Sequence, residues 1–397
     1  MGWPRQVTVT VAGVNHTAET LDSVFIQRGR TTFWDAIQAS LARIVLLEPA
    51  VRPAVGQTIT VDVALDAGGT ARVFAGSIQA ITAQFVPTIG TTLTIDSFGP
   101  LTRAGRRDQT ETLPQQLEGV RIRDLLTNAL SEQWAEQPLT QQWGQVPVTT
   151  TWADYGIDTS IIDNGLYLVE PLTSVPVSTF TGLGDAMFAG NGIIYETGDG
   201  NVGYADSTSR QGAALGAPTV LDGNEVLALS ATTTEARDNI VNQASLEWSG
   251  GSVLFTATDS VSEYGFVRRD YSTILDDADD ATDLAERLVS LQAFPGPDLQ
   301  GPIVVPLAYV SDALTDELLL LGINAYLEVD NIPTQVLPAG TFLGFVEGIN
   351  YELTDTFANV ELFASDDRYS IYDTRWADAP DTATWGGVLG TLQWQNA

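Results

Sequence analysis

The chain has no cysteine, and its single histidine is His16. Its rows also hold no lysine. Without cysteine there is no disulfide, no thiolate metal site and no cysteine nucleophile. One imidazole excludes a histidine-based zinc site, and any Ser-His-Asp triad would have to use His16. Without lysine there is no P-loop and no Schiff base. Long apolar runs are missing too: stretches such as 303–310 fall well short of the ~20 residues a membrane-spanning helix needs. The start, Met1-Gly2-Trp3-Pro4-Arg5, passes into alternating Val7, Val9 and Val11 and offers no continuous apolar signal segment. Gln6 stands where a myristoylation motif requires Ser or Thr.

Positive charge is scarce. The 18 basic residues, all Arg, face 50 acidic ones, for a net charge of −32 and a pI near 4.1. That balance argues against electrostatic wrapping of nucleic acid. The charge is graded along the chain: −1 over residues 1–100, −9 over 101–222 and −22 over 223–397. Hydrophobic residues make up 44% and mean hydropathy is +0.05, as in globular proteins. A length of 397 residues suggests two or three domains.

Period-2 alternation dominates both ends. Val7, Val9 and Val11, then Ile59, Val61, Val63 and Leu65, then Leu93 and Ile95 read as strands, separated by turns such as Gly68-Gly69. Residues 33–47 fit two patterns. Phe33, Ile37, Leu41 and Ile44 suit a helix, whereas Leu41, Val45 and Leu47 suit a strand. The middle changes character. Ile122, Leu125, Leu126 and Ala129 predict a helix within 115–130, and a short helix is expected over 178–189 despite Gly182 and Gly184. Hairpins are predicted around Gly198-Asp199-Gly200 and Ser249-Gly250-Gly251. A helix over 276–291 has an acidic first turn and a stripe of Leu284, Leu288 and Leu291. A second, over 312–321, would end at Gly322. An internal echo links the ends. Phe74-Ala75-Gly76-Ser77-Ile78 precedes a strand through Ile95, and Phe345-Val346-Glu347-Gly348-Ile349 precedes one through Phe363.

Few residues form a catalytic pattern. Fifty carboxylates guarantee many pairs, so no acid/base pair stands out. Asp276, Asp277, Asp279, Asp280 and Asp283 lack the Gly and terminal Glu of a calcium loop, and read as a helix N-terminus. His16 reads as a turn or surface residue. No Gly-x-Ser-x-Gly elbow occurs, and Met187 replaces the third glycine of a dinucleotide fingerprint. No catalytic, cofactor or metal residue is assigned. Candidate interaction residues are Arg28, Arg30, Arg103, Arg106 and Arg107, which could pair with carboxylates of this chain or of a neighbouring copy. Trp376, Trp385 and Trp394 recur every nine residues, and serve either as interface anchors or as packing onto their own domain.

Several segments together resemble the minor tail proteins of long-tailed, siphovirus-type phages, of the baseplate-hub type. They are Val24-Phe25-Ile26-Gln27-Arg28-Gly29-Arg30, Val73-Phe74-Ala75-Gly76-Ser77-Ile78 and 93–101 near the start. Asp259-Ser260-Val261-Ser262-Glu263-Tyr264-Gly265 with the helix after it, and Val346-Glu347-Gly348-Ile349, match the later half. The resemblance implies a mainly β chain with a few helices, β-rich α+β, with two small β-barrel domains separated and flanked by irregular α+β segments. Residues 1–100 would form the first barrel and 101–222 the irregular middle. Residues 223–372 would form the second barrel, with helices near 276–291 and 312–321, and 373–397 a Trp-containing arm. It favours a strand over 38–47.

The resemblance also implies a role. Three copies would form a hub at the distal end of the virion tail, after synthesis in the host cytoplasm. The hub would join the tail tube to the tip and line the DNA channel. Partners would be the distal tail protein, other tail-tip or central fibre proteins, and the tape-measure protein and genomic DNA in transit. Carboxylates lining the lumen would repel phosphate and let DNA slide. A structural protein without catalysis or cofactors is expected. A carboxylate-dependent cell-wall glycan hydrolase and a glycan-binding adhesin of the tail tip are the alternatives.

Overall fold

The computed structural model describes residues 3–16, 21–87, 90–131, 157–214, 216–223, 232–235, 237–294, 296, 298–299 and 301–369. Seven strands open the chain: β1 (Val7–Val11), β2 (Val14–His16), β3 (Leu21–Gly29), β4 (Leu41–Leu47), β5 (Thr58–Ala64), β6 (Thr70–Val86) and β7 (Gly90–Phe98). The alternation predicts their faces well, since Val7, Val9, Val11, Ile59, Val61 and Val63 are all buried. Residues 33–47 form a turn followed by a strand, which decides for the strand pattern over the helix. Asp35 accepts from the Thr32 amide at 2.8 Å and closes a turn, and β4 follows. Its buried face carries Ala42, Ile44 and Leu46, one residue out of phase with the face expected. His16 is a correction: it is 7% exposed on β2, opposite Val9, and burial holds its imidazole pKa below the ordinary value.

The middle contributes α1 (Glu118–Ser131), α2 (Thr179–Gly190) and the antiparallel pair β8 (Ile193–Glu196) and β9 (Val202–Ala205). Ile122, Leu125 and Leu126 of α1 pack with Leu183 and Ala186 of α2 in a separate core. The later strands are β10 (Thr219–Asp222), β11 (Gln243–Trp248), β12 (Gly251–Thr256), β13 (Arg268–Ser272), β14 (Ile303–Pro306), β15 (Tyr326–Asp330), β16 (Phe342–Leu353) and β17 (Ala358–Asp366). Helix α3 (Ala278–Ser290) is capped by Asp277, whose Oδ1 accepts from the Asp279 and Asp280 amides. Asp276–Asp280 therefore serve a helix start. Ala281, Leu284, Ala285 and Leu288 of α3 are buried against β11 and β12, while Leu291 is only half-buried. Helix α4 (Asp312–Leu320) ends in extended backbone at Leu321, so Gly322 makes no left-handed cap.

One sheet runs through both ends of the chain, in the order β10-β15-β16-β3-β4-β7-β6-β5-β1-β2, with β17 on β16 and β14 on β17. Its seam is the antiparallel pair β3–β16, with Gly29 opposite Gly348 and Val24 opposite Leu353. Strands of residues 1–100 and 223–369 thus share one sheet and one core. No pairing among the described residues closes that sheet into a barrel. Both copies of the sequence echo open an antiparallel pair, β6–β7 and β16–β17, and each pair carries a register shift.

Candidate functional site: a charged seam and a cleft

The register of β16 slips between Val346 and Gly348, leaving Glu347 at a bulge. Here β16 exchanges one neighbour for another: Phe342–Phe345 pair with β15, and Gly348–Leu353 pair with β3. The two backbones approach so closely that a Cβ on Gly29, whose φ is +74°, would lie 2.2 Å from the Glu347 carbonyl oxygen. A Cβ on Gly348 would lie 2.4 Å from that of Arg30. Only glycine fits at either position.

The Glu347 side chain is 0% exposed. Arg30 Nε donates to its Oε2 at 2.8 Å, and Arg210 Nη2 donates to its Oε1 at 2.6 Å. The Ser365 hydroxyl also donates to Oε1, and Arg210 Nε donates to Asn324 Oδ1 at 2.9 Å. The Phe33 ring lies under both guanidiniums, at 5.1 and 5.4 Å. Burial alone would push the Glu347 carboxyl up. Arg210 and Arg30, helped by Ser365, outweigh it and hold the pKa down at about 2. Burial lowers the pKa of Arg210, and Glu347 opposes that shift. The cluster ties the first segment (Arg30), the middle (Arg210) and the last strands (Glu347, Ser365) together, with both Glu347 oxygens paired and only Arg30 Nη2 buried without a partner.

Two residues before Arg30, Arg28 is also 5% exposed. Gly29 breaks the alternation, so the two guanidiniums part. Arg28 Nη2 donates to the Leu321 carbonyl at 3.3 Å and to Tyr351 Oη at 3.4 Å, and lies 5.6 Å over the Tyr351 ring. It lines a cleft of about 610 Å³ between the β8–β9 turn, β5–β6 and the end of α4. Glu196, also in the cleft wall, is fully buried. Its oxygens accept from the Ser40 and Leu101 amides, both at 2.5 Å. Burial raises its pKa, against those hydrogen bonds and the charge of Arg28.

A third buried carboxylate, Glu118, begins α1. It accepts from the Leu166 and Tyr167 amides at 2.9 and 2.8 Å and from Tyr204 Oη at 3.4 Å. Burial pushes its pKa up to about 7 in spite of these donors.

The other predicted residues lie elsewhere. Arg103 and Arg107 are half-buried and Arg106 is exposed, on and just after the helical turn Leu101–Ala104. Trp376, Trp385 and Trp394 fall outside the described residues. The sequence reading missed Arg210 and Glu118 and assigned no role to Glu347 or to Glu196, which flanks the Gly198-Asp199-Gly200 hairpin. For Glu347 a signal existed: a lone carboxylate inside the apolar strand Phe345–Ile349, followed by Gly348. Among the described residues, no group of three His, Asp or Glu side chains could hold a metal ion. No helix there is long and apolar enough to cross a membrane.

These features define a mostly β chain with a spliced sheet and flanking helices, and known structures share that fold. A tail protein from Neisseria meningitidis MC58 superposes over 93% of this chain and 98% of its own, with a TM-score of 0.57 and 14% identity. The 43 kDa tail protein of prophage MuSo2 from Shewanella oneidensis covers 92% of this chain and 99% of its own, with a TM-score of 0.55 and 12% identity. No protein-family model matches the sequence, and neither does any curated protein. The chain therefore shares the fold of these two tail proteins.

Proposed function

We propose that this chain is a structural protein of a phage-type tail, a minor tail protein acting as a three-copy hub at the distal end of the virion tail. The observation that carries the reading is the end-to-end match. The fold runs through 93% of this chain and 98% of the Neisseria tail protein, so the likeness is to the whole scaffold and not to one segment of it. The buried seam suits such a role, because it joins segments far apart in sequence within one sheet and one core. In this reading each copy contributes two barrel-like units, the sequence echo, to a ring of six near-equivalent positions. The acidic residues of 223–397 partly face the lumen, where they keep DNA from adhering. The neighbours are the distal tail protein, a tip or fibre protein and the tape-measure protein.

Native mass spectrometry of the full chain at micromolar concentration tests this reading. Three copies of a 42.5 kDa chain give a species near three times that mass, and electron microscopy then shows rings. A monomer that clears host cell walls would replace the hub with a hydrolase. A monomer that binds host glycan saturably, without turnover, would replace it with an adhesin.

A further inference from the structure

Among the described residues, Arg28 is the one predicted interaction residue that is both buried and without a contacting carboxylate. Its Nε is buried without a hydrogen-bond partner, and among the described residues no carboxylate pairs with it. Its head sits at the cleft wall, since a Cβ on Gly198 would lie 2.8 Å from Nη1, and Nη2 bonds to Leu321. Gly198 and Leu321 both line the cleft. Glu196 does not neutralise it by contact, because both of its oxygens are taken by backbone amides. Glu196 acts on it only through space; a buried guanidinium without a contacting carboxylate is costly, and a cleft opening onto it is a place where a ligand can supply that contact.

We infer that this cleft is a carboxylate-binding site, with Arg28 supplying the cation at its floor. The walls select the class of anion. Arg72 at the rim is held by Asp62 at 2.9 Å and feels Asp199, so the rim is net acidic and disfavours a dianion such as phosphate. Leu319, Leu320 and Leu321 form an apolar side, with Leu320 62% exposed, which suits a short aliphatic stem. A carboxylate on one or two carbons fits both demands. It can come from a free small acid or from an Asp or Glu side chain of a second copy. The inference does not depend on the hub reading.

The test is thermal unfolding of the full chain in sodium acetate against sodium chloride at equal ionic strength. Acetate is expected to raise the melting temperature by about 2 °C over chloride. Arg28→Lys, which keeps the charge but loses the planar fork, is expected to halve that gain or abolish it. Should Arg28→Lys fail to fold, Leu320→Glu replaces it. That variant places a tethered carboxylate at the cleft without touching Arg28, and is expected to melt in chloride as the parent does in acetate. Equal melting of the parent in both salts overturns the proposal, and so does an acetate gain that survives both substitutions. Sedimentation velocity in the two salts identifies the source. If acetate or Leu320→Glu separates associated copies, the ligand is a side chain of a second copy. If association is the same throughout while the melting difference holds, the ligand is a free acid.

Discussion

Glu347 in the sheet seam and Glu118 at the start of α1 are both 0% exposed, yet their carboxyls move in opposite directions. Glu347 faces two guanidiniums and falls to about 2. Glu118 faces two amides and a tyrosine hydroxyl and rises to about 7. Burial raises both, and neutral donors do not offset it, whereas two full positive charges do. The pair Arg30 and Arg28 repeats the lesson from the cationic side, with one in contact with Glu347 and the other facing a cleft. Neither difference follows from the net charge. It follows from where a bulge and a left-handed glycine direct each side chain.

The largest effect is expected from Glu347→Ala, which leaves Arg30 and Arg210 buried together. A destabilisation of about 3–5 kcal/mol is expected in urea titrations. Next comes the pH dependence that separates the two carboxylates. The folded pKa of Glu347 lies below its unfolded value. Its contribution is therefore present above about pH 4.5 and is lost as pH falls toward 2. The folded pKa of Glu118 lies above its unfolded value. Its contribution is full below about pH 4.5 and is lost as pH rises through 7, with a cost on the order of 3 kcal/mol. Glu118→Gln should flatten the stability profile between pH 5 and 7 and leave the acid limb unchanged. A smaller contrast is expected between the two arginines. Arg30→Met should cost about 2 kcal/mol by leaving Glu347 half-paired, whereas Arg28→Met should stay within about 1 kcal/mol of the parent. If the two cost the same, their environments are not distinct. Exposed Arg106→Ala should change stability by less than about 0.5 kcal/mol.

Much of the fold was legible because strand and helix periods are local. The valines of β1 and β5, the stripe of Ile122, Leu125, Leu126 and Ala129 on α1 and the three glycine turns all fall where the pattern puts them. Phase was harder to read: β4 buries Ala42, Ile44 and Leu46 because its neighbours β3 and β7 set the inward face, not its own larger residues. His16 looked like a turn residue and is buried because it pairs with Val9 of β1 and shares the face that buries that valine. The site was the least legible part. Arg28 and Arg30 were singled out, but the partner that distinguishes them is 317 residues from Arg30 in sequence, and no local pattern spans that distance. The polar atoms that hold Glu118 and Glu196 are mostly backbone amides, which side-chain identity does not announce.

The β3–β16 seam also sets a timetable. Strand β3 is complete by Gly29, but the strand that pairs with its outer edge ends only at Leu353. On a ribosome adding about 5–20 residues per second, that interval is roughly 20–60 s. Throughout it, β3 has β4 on one side and an open edge on the other. The nascent chain thus carries an unfinished sheet until Leu353 has been made, and any partner that shields that edge during synthesis would raise the yield of correctly joined molecules.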